Sequence, residues 1–106
     1  MVEIKIPQTI KIGGFDYKVI IGNDIATGEL LAAGHWGECD MVNRTIKISQ
    51  YCPPQQFQAT FLHELVHGIL DTFTGLSVER QEEVTLPIGN GFLQIFEQLG
   101  ITFVKE

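Results

Sequence analysis

Residues 53–75 constrain this chain more than any other stretch. They begin at Pro53-Pro54, end at Thr74-Gly75, and carry His63-Glu64-Leu65-Val66-His67 at their centre. Phe57, Phe61, Leu62, Leu65, Val66, Ile69, Leu70 and Phe73 recur at helical spacing around that centre. The segment therefore reads as one amphipathic helix that must be largely buried. Proline is tolerated in a first helical turn, where its missing N–H has no partner to lose. Gly75 is suited to a left-handed cap at the far end. On such a helix, residues four apart lie about 40° apart. The imidazoles of His63 and His67 then reach one point in space, the spacing that holds a metal ion, usually zinc, on a helix surface. Glu64 projects about 100° from His63, near that point but out of line with the two rings. A carboxylate there can take a proton from water. Gly68, just after the second histidine, lets another segment approach closely. The bland alternative is a pair of partly exposed histidines beside a surface glutamate, and the apolar flanks count against it.

The rest of the chain bounds this reading. A length of 106 residues, with 44% hydrophobic and 19% charged, implies one domain over 1–106 with a real core. No apolar run approaches the ~18 residues of a membrane span. Met1 to Ile6 lacks the basic region and continuous apolar stretch of a signal peptide, so the expected location is the cytoplasm. Seven basic against thirteen acidic residues give a net charge of −6, which argues against charge-driven binding of nucleic acid. The two cysteines, Cys39 and Cys52, have no CxxC spacing. They are expected as reduced, half-buried thiols rather than a disulfide, with Cys39 as a metal ligand the minor alternative.

Taken in order, Val2, Ile4 and Ile6 alternate with charges and suggest an extended start, interrupted by Pro7. Thr9–Ile12 and Phe15–Ile21 read as strands joined by a Gly13-Gly14 hairpin turn. Gly22-Asn23-Asp24 ends the second strand. Ile25 to Ala33 is either a short helix with Leu30 and Leu31 inward or an irregular loop, since Gly28 weakens it. Gly34 to Met41 reads as a third strand and Thr45 to Ser49 as a fourth, paired across an Asn43-Arg44 turn. After the motif helix, Ser77 is a simple N-cap. A last helix runs from about Val78 to Leu99, with Val84, Ile88, Phe92, Ile95, Phe96 and Leu99 along one side. Pro87 must kink or break it, or residues 86–91 form a loop between two shorter helices. Gly100 caps it, and Ile101 to Val104 is an apolar tail, packed on the sheet or making an interface. The fold class is α+β: a small antiparallel sheet of about four strands, with the motif helix and a C-terminal helix packed on it.

A catalytic zinc usually takes three protein ligands and keeps one open position. The HExxHxxGxxH pattern is excluded, because Leu70 and Phe73 occupy its last glycine and histidine positions. A carboxylate from the next helix is the remaining common solution, with Glu79, Glu82 and Glu83 as candidates. On a helical wheel Glu82 falls within the apolar arc, Glu83 among Asn90, Gln94, Glu97 and Gln98, and Glu79 at the margin. A carboxylate facing a buried neighbour helix needs a partner, and a cation on two imidazoles is an adequate one. Glu82 is favoured and Glu83 is the alternative. In the bland reading both are solvated charges in the first turn, where the helix dipole favours acids.

His63-Glu64-Leu65-Val66-His67-Gly68, followed by Glu82-Glu83 and an apolar helix, resembles the zincin metallopeptidases of the gluzincin-like kind. In size and order the chain is most similar to the small bacterial and phage-encoded ImmA/IrrE-type and SprT-like domains. The strand pair with Gly37-Glu38-Cys39-Asp40 and Thr45-Ile46-Lys47-Ile48 is similar to the pair that precedes the motif helix in those proteins. The resemblance covers roughly residues 35–99. It implies a zinc metalloendopeptidase in which His63 and His67 bind Zn2+, Glu82 or Glu83 completes the site, and Glu64 is the general base. It also implies a protein or peptide substrate lying extended along the strand from about His35 to Asp40. Pro87 and the lack of a second large subdomain depart from that pattern. His35, Tyr51 and Arg80 are candidates to stabilise an oxyanion, and Asp71 to orient a histidine ring. The rival is a non-catalytic protein-binding module in which zinc only joins two helices, although such a site has no use for Glu64.

Overall fold

A computed structural model describes residues 1–22 and 35–105. Asn23-Asp24 after the second strand, the reading of Ile25 to Ala33, and Gly34 at the start of the third strand lie outside the described residues. The architecture is α+β, with strands β1 (Val2–Ile6), β2 (Thr9–Ile12), β3 (Phe15–Ile21), β4 (Gly37–Asp40), β5 (Thr45–Ile48) and β6 (Ile101–Lys105). The two helices are α1 (Pro54–Phe73) and α2 (Val78–Gln98).

Alternation and turn chemistry account for the hairpins. β2 and β3 pair antiparallel with Ile12 opposite Phe15, and Gly13 takes the positive φ of 61° that the two-residue turn requires. β4 and β5 pair antiparallel with Cys39 opposite Ile46. The sheet is mixed, however, and not wholly antiparallel: its order is β2-β3-β5-β4, with β3 and β5 parallel. Composition explains which strand of the second hairpin docks inward. Ile46 and Ile48 of β5 are fully buried, whereas β4 carries Glu38 and Asp40, and charged residues suit an edge. The apolar tail is also more than a tail. β6 pairs in parallel with β1 in a separate two-stranded sheet, with Ile4 opposite Phe103.

α1 covers the four-stranded sheet. Phe61 packs with Ile6, Val19 and Ile48, and Leu65 touches both this cluster and the Ile12–Tyr17–Ile46 cluster. Gly68 permits a close approach, since a Cβ there would come within 2.9 Å of the Ile12 Cδ1. The expected left-handed cap at Gly75 is not formed. α1 ends instead on extended Thr74, whose N–H donates to the Leu70 carbonyl and whose Oγ1 accepts from the Leu76 N–H. The threonine side chain takes over the work of turning the chain.

α2 runs unbroken through exposed Pro87. Ser77 caps it by accepting from the Arg80 N–H at 3.3 Å, and Gly100 ends it at a φ of 70°. The face it presents to α1 differs from the apolar line expected. Gln81, Thr85 and Gly89 are buried there, while Ile88, Phe92, Ile95 and Leu99 are exposed. Close helix contact selects small side chains: a Cβ on Gly89 would lie 3.6 Å from the His63 Cα. Farther along, Phe96 meets Phe103 at 5.4 Å between ring centroids, and Phe103 meets Phe61 at 5.6 Å. Gln58 of α1 holds β6 like a neighbouring strand. Its Oε1 accepts from the Phe103 N–H at 3.0 Å, and its Nε2 donates to the Ile101 carbonyl at 3.5 Å. Among the described residues no helix is long and apolar enough to cross a membrane.

The two kinds of apolar residue should respond differently to truncation. Phe61→Ala is expected to lower unfolding free energy by about 3–5 kcal/mol. Ile95→Ala, at an exposed position, should cost less than about 1 kcal/mol in dilute protein. Urea denaturation of both variants checks the contrast.

Candidate metal centre

α1 presents His63 and His67 on the side facing the first turns of α2. Their rings lie edge to face with centroids 5.1 Å apart. Glu82 comes from the second turn of α2 because its neighbour Gln81 is buried under α1, which leaves Glu82 on the flank of the contact. Its Oε1 lies 3.2 Å from the His67 Nε2. One ligand atom each from His63, His67 and Glu82 fall within 4.8 Å of one another. Glu83 is turned outward and pairs with Arg80 at 3.5 Å. Glu82 is thus the carboxylate brought to the histidines, on the border of a polar and small-residue face rather than inside an apolar arc. Glu79 is exposed in the first turn and outside this group.

Gln81 gives the site its direction. Its side chain is fully buried. Its amide nitrogen lies 3.4 Å from the Asp71 Oδ1 and 3.2 Å from the Leu76 carbonyl, both acceptors. The amide oxygen must therefore face the His67 Nδ1, at 3.3 Å. An oxygen there accepts, so Nδ1 carries the proton and donates. The second ring nitrogen, Nε2, then points a lone pair at the Glu82 carboxylate. Two lone pairs facing each other at 3.2 Å require a proton or a metal cation between them. Zinc bonds of about 2.0–2.1 Å in a tetrahedron separate neighbouring donor atoms by roughly 3.3 Å, so this edge has the right length. The expected orienter Asp71 does not touch a histidine; it acts one step back, through Gln81. The sequence carried a signal for Gln81, a polar residue on the apolar side of the α2 wheel.

Glu64 is buried and held protonated more firmly than an ordinary carboxyl. Burial, then the charges of Glu82 and Glu38, push its pKa up from 4.5 to about 8. Gly37 on β4 makes room for it, because a Cβ there would come within 3.0 Å of the Glu64 Oε2. Burial, then the neighbouring His67, lowers the pKa of His63, which favours the neutral ring that can donate a lone pair. Both cysteines are free and half-buried. Burial and the surrounding carboxylates push the Cys39 thiol up to about 12, so it keeps its proton and stays outside the three-residue group.

The site opens into a groove beside the sheet edge. A cleft of about 420 Å³ is lined by His35, Gly37, Glu38, Cys39 and Met41 on one side and His63, Glu64, His67, Val78 and Glu82 on the other. A second hollow of about 360 Å³ shares His35, Gly37, His63 and Glu64 and continues to Trp36, Ala59 and Leu86. His35 therefore lines the groove on both sides of the centre. Tyr51 and Arg80 line neither part. Trp36 carried no motif and was not singled out from sequence.

Two outcomes test this geometry in metal-free protein. Ring ¹⁵N shifts should show His67 protonated at Nδ1 in the native chain, a preference lost in Gln81→Leu. The second concerns pH. The unfolded chain releases the Glu64 proton near pH 4.5, but the folded chain keeps it to about pH 8. Between these values folding takes up a proton, so this contribution is complete below pH 4.5 and is lost as the pH rises. Glu64→Gln cannot ionise. With chelator present, its melting temperature should gain on that of the native chain steadily from pH 5 to pH 8. The chain matches no family model, no curated protein and no solved structure, and its function is therefore read from this geometry.

Proposed function

We propose that this chain is a zinc-dependent metallopeptidase of minimal zincin-like build, hydrolysing peptide bonds in a protein substrate. The single observation that carries the reading is the His67 Nε2 facing the Glu82 Oε1 at 3.2 Å, with Gln81 holding the ring proton on the opposite nitrogen. The histidine is buried and the glutamate opens to the groove, and a metal cation would satisfy both acceptors at once. His63, His67 and Glu82 would hold the ion, the donor set of two imidazoles and one carboxylate suited to zinc. When bound, zinc supplies Lewis-acid polarisation of a carbonyl and a water acidified to a pKa of ~7.

The chain's own residues do the rest. Glu64 sits in a pocket dry enough to raise its pKa to about 8, and a nearby cation draws that value back down. A carboxylate poised this way takes a proton from the attacking water and returns it to the departing amine nitrogen. The hydrogen bond from His67 to Gln81 fixes the orientation and tautomer of the ring. Edge strand β4 offers backbone groups to an extended peptide, and Gly37 lets that peptide and the Glu64 carboxylate share one narrow space. His35 lines the groove on both sides of the centre and would be the donor to a developing oxyanion.

A second reading is favoured by one feature: a metal between His67 and Glu82 would brace α1 against α2. In that case zinc only stabilises a protein-binding module, and Glu64 is idle. Glu64→Gln and His63→Ala separate the two. Zinc should raise the melting temperature of the native chain and of Glu64→Gln, and of His63→Ala far less. Cleavage of a peptide pool, followed by mass spectrometry, should fall about 10²–10⁴-fold in Glu64→Gln. Loss of bound zinc in Glu64→Gln, or zinc-dependent cleavage undiminished in it, overturns the peptidase assignment.

A further inference from the structure

One apolar face of α2 changes from covered to uncovered along its length. Gln81, Thr85, Ile88, Phe92, Ile95 and Leu99 follow each other at spacings of 4, 3, 4, 3 and 4, the repeat of a helix-to-helix seam. The first two are fully buried against α1, and then exposure climbs: Ile88 38%, Phe92 44%, Ile95 52% and Leu99 64%. Past Gly89 the helix turns a different flank to its neighbours, with Phe96 against Phe103. Among the described residues nothing covers the seam beyond that point. It is roughly 17 Å long, from eleven steps of 1.5 Å.

We propose that this seam joins two copies of the chain, α2 packing antiparallel on the α2 of the second copy across a two-fold axis. Three features favour a second copy over a different partner. The seam is nearly symmetric about its centre, so reversal sets Ile88 against Leu99 and Phe92 against Ile95, as a two-fold contact demands. Its borders, Val84, Gly91, Gln98 and the helix's inner flank, carry no charge. A chain of net charge −6 can meet itself there without repulsion, and no charge on the border selects an acidic or basic partner. Gly91 has open space around its missing Cβ, which lets a second backbone approach. Beyond Leu99 the surface continues into Met1 and Val2, both exposed, where the Val2 N–H donates to the Gly100 carbonyl at 2.7 Å. The four seam residues expose on the order of 400 Å² per copy, about half of what a standard stable interface buries on each partner. The dimer is accordingly weak and dissociates on dilution. Leu86 and Asn90, which line the groove, lie on the other flank of α2, so the groove stays open in the dimer.

Sedimentation velocity on the native chain from about 10 μM to 1 mM, a range chosen for a contact of this size, tests the proposal. A concentration-dependent rise toward twice the monomer mass is expected. Phe92→Lys alone and Ile95→Glu alone should each stay monomeric with native circular dichroism. Phe92→Lys gives up a ring contact with Phe96, so its melting temperature at low concentration should fall modestly, and that of Ile95→Glu less. Mixed together, these two variants should associate again, because the antiparallel arrangement sets one changed position against the other. A native chain that stays monomeric throughout overturns the proposal and leaves the seam to a different protein. A dimer indifferent to both substitutions, or a mixture that fails to associate, overturns the antiparallel seam. None of these outcomes depends on whether the groove cleaves peptides.

Discussion

The distance between α1 and α2 governs everything built on them. It is set by Gln81, Thr85 and Gly89, a row without a large apolar side chain. Gly89 brings the backbone of α2 against that of His63. Thr85 returns its hydroxyl to the Gln81 carbonyl at 2.6 Å and so is satisfied without a partner on α1. Gln81 alone reaches across. Buried amides are expensive unless all their bonds are made, and this one makes three. The same contact that fixes the helix pair thus fixes the tautomer of His67.

The groove follows from a second close approach, that of α1 to the sheet. Gly68 lets the helix sit down on Ile12 and Tyr17, and Gly37 lets edge strand β4 pass beside Glu64. Charged β4 on the outside and apolar β5 inside put β4 at the edge of the sheet among the described residues, next to the histidines. Burial of Glu64 is a product of this crowding, and its raised pKa is the electrostatic result. The two glycines have no chemistry of their own, but side chains at either would push away the elements that shape the site.

Much of this was legible from residue order. The apolar spacing around His63 and His67 identified a buried helix, Gly13-Gly14 identified the first hairpin, and Ser77 and Gly100 identified the ends of α2. Glu82 was favoured over Glu83, and the structure brings Glu82 to the rings, though on different grounds from the wheel. The apolar arc used for that choice proved to be largely exposed, because periodicity reports that a helix has an apolar side and does not report which neighbour that side meets. Pro87 was expected to kink or break α2, yet the helix continues past it with the proline exposed.

The order of residues by itself determined the local elements and the pairing of two imidazoles on one helix face, because strands repeat every two residues and helices turn about 100° per residue. It also put candidate carboxylates, Glu79, Glu82 and Glu83, in the first turns of α2. Only the tertiary structure decided the parallel docking of β5 on β3, the union of β1 with β6, and the bridge from Asp71 through Gln81 to His67. Each of these joins segments distant in the chain through contacts between side chains or strand edges, and such contacts depend on the relative positions of whole elements, which no local repeat encodes.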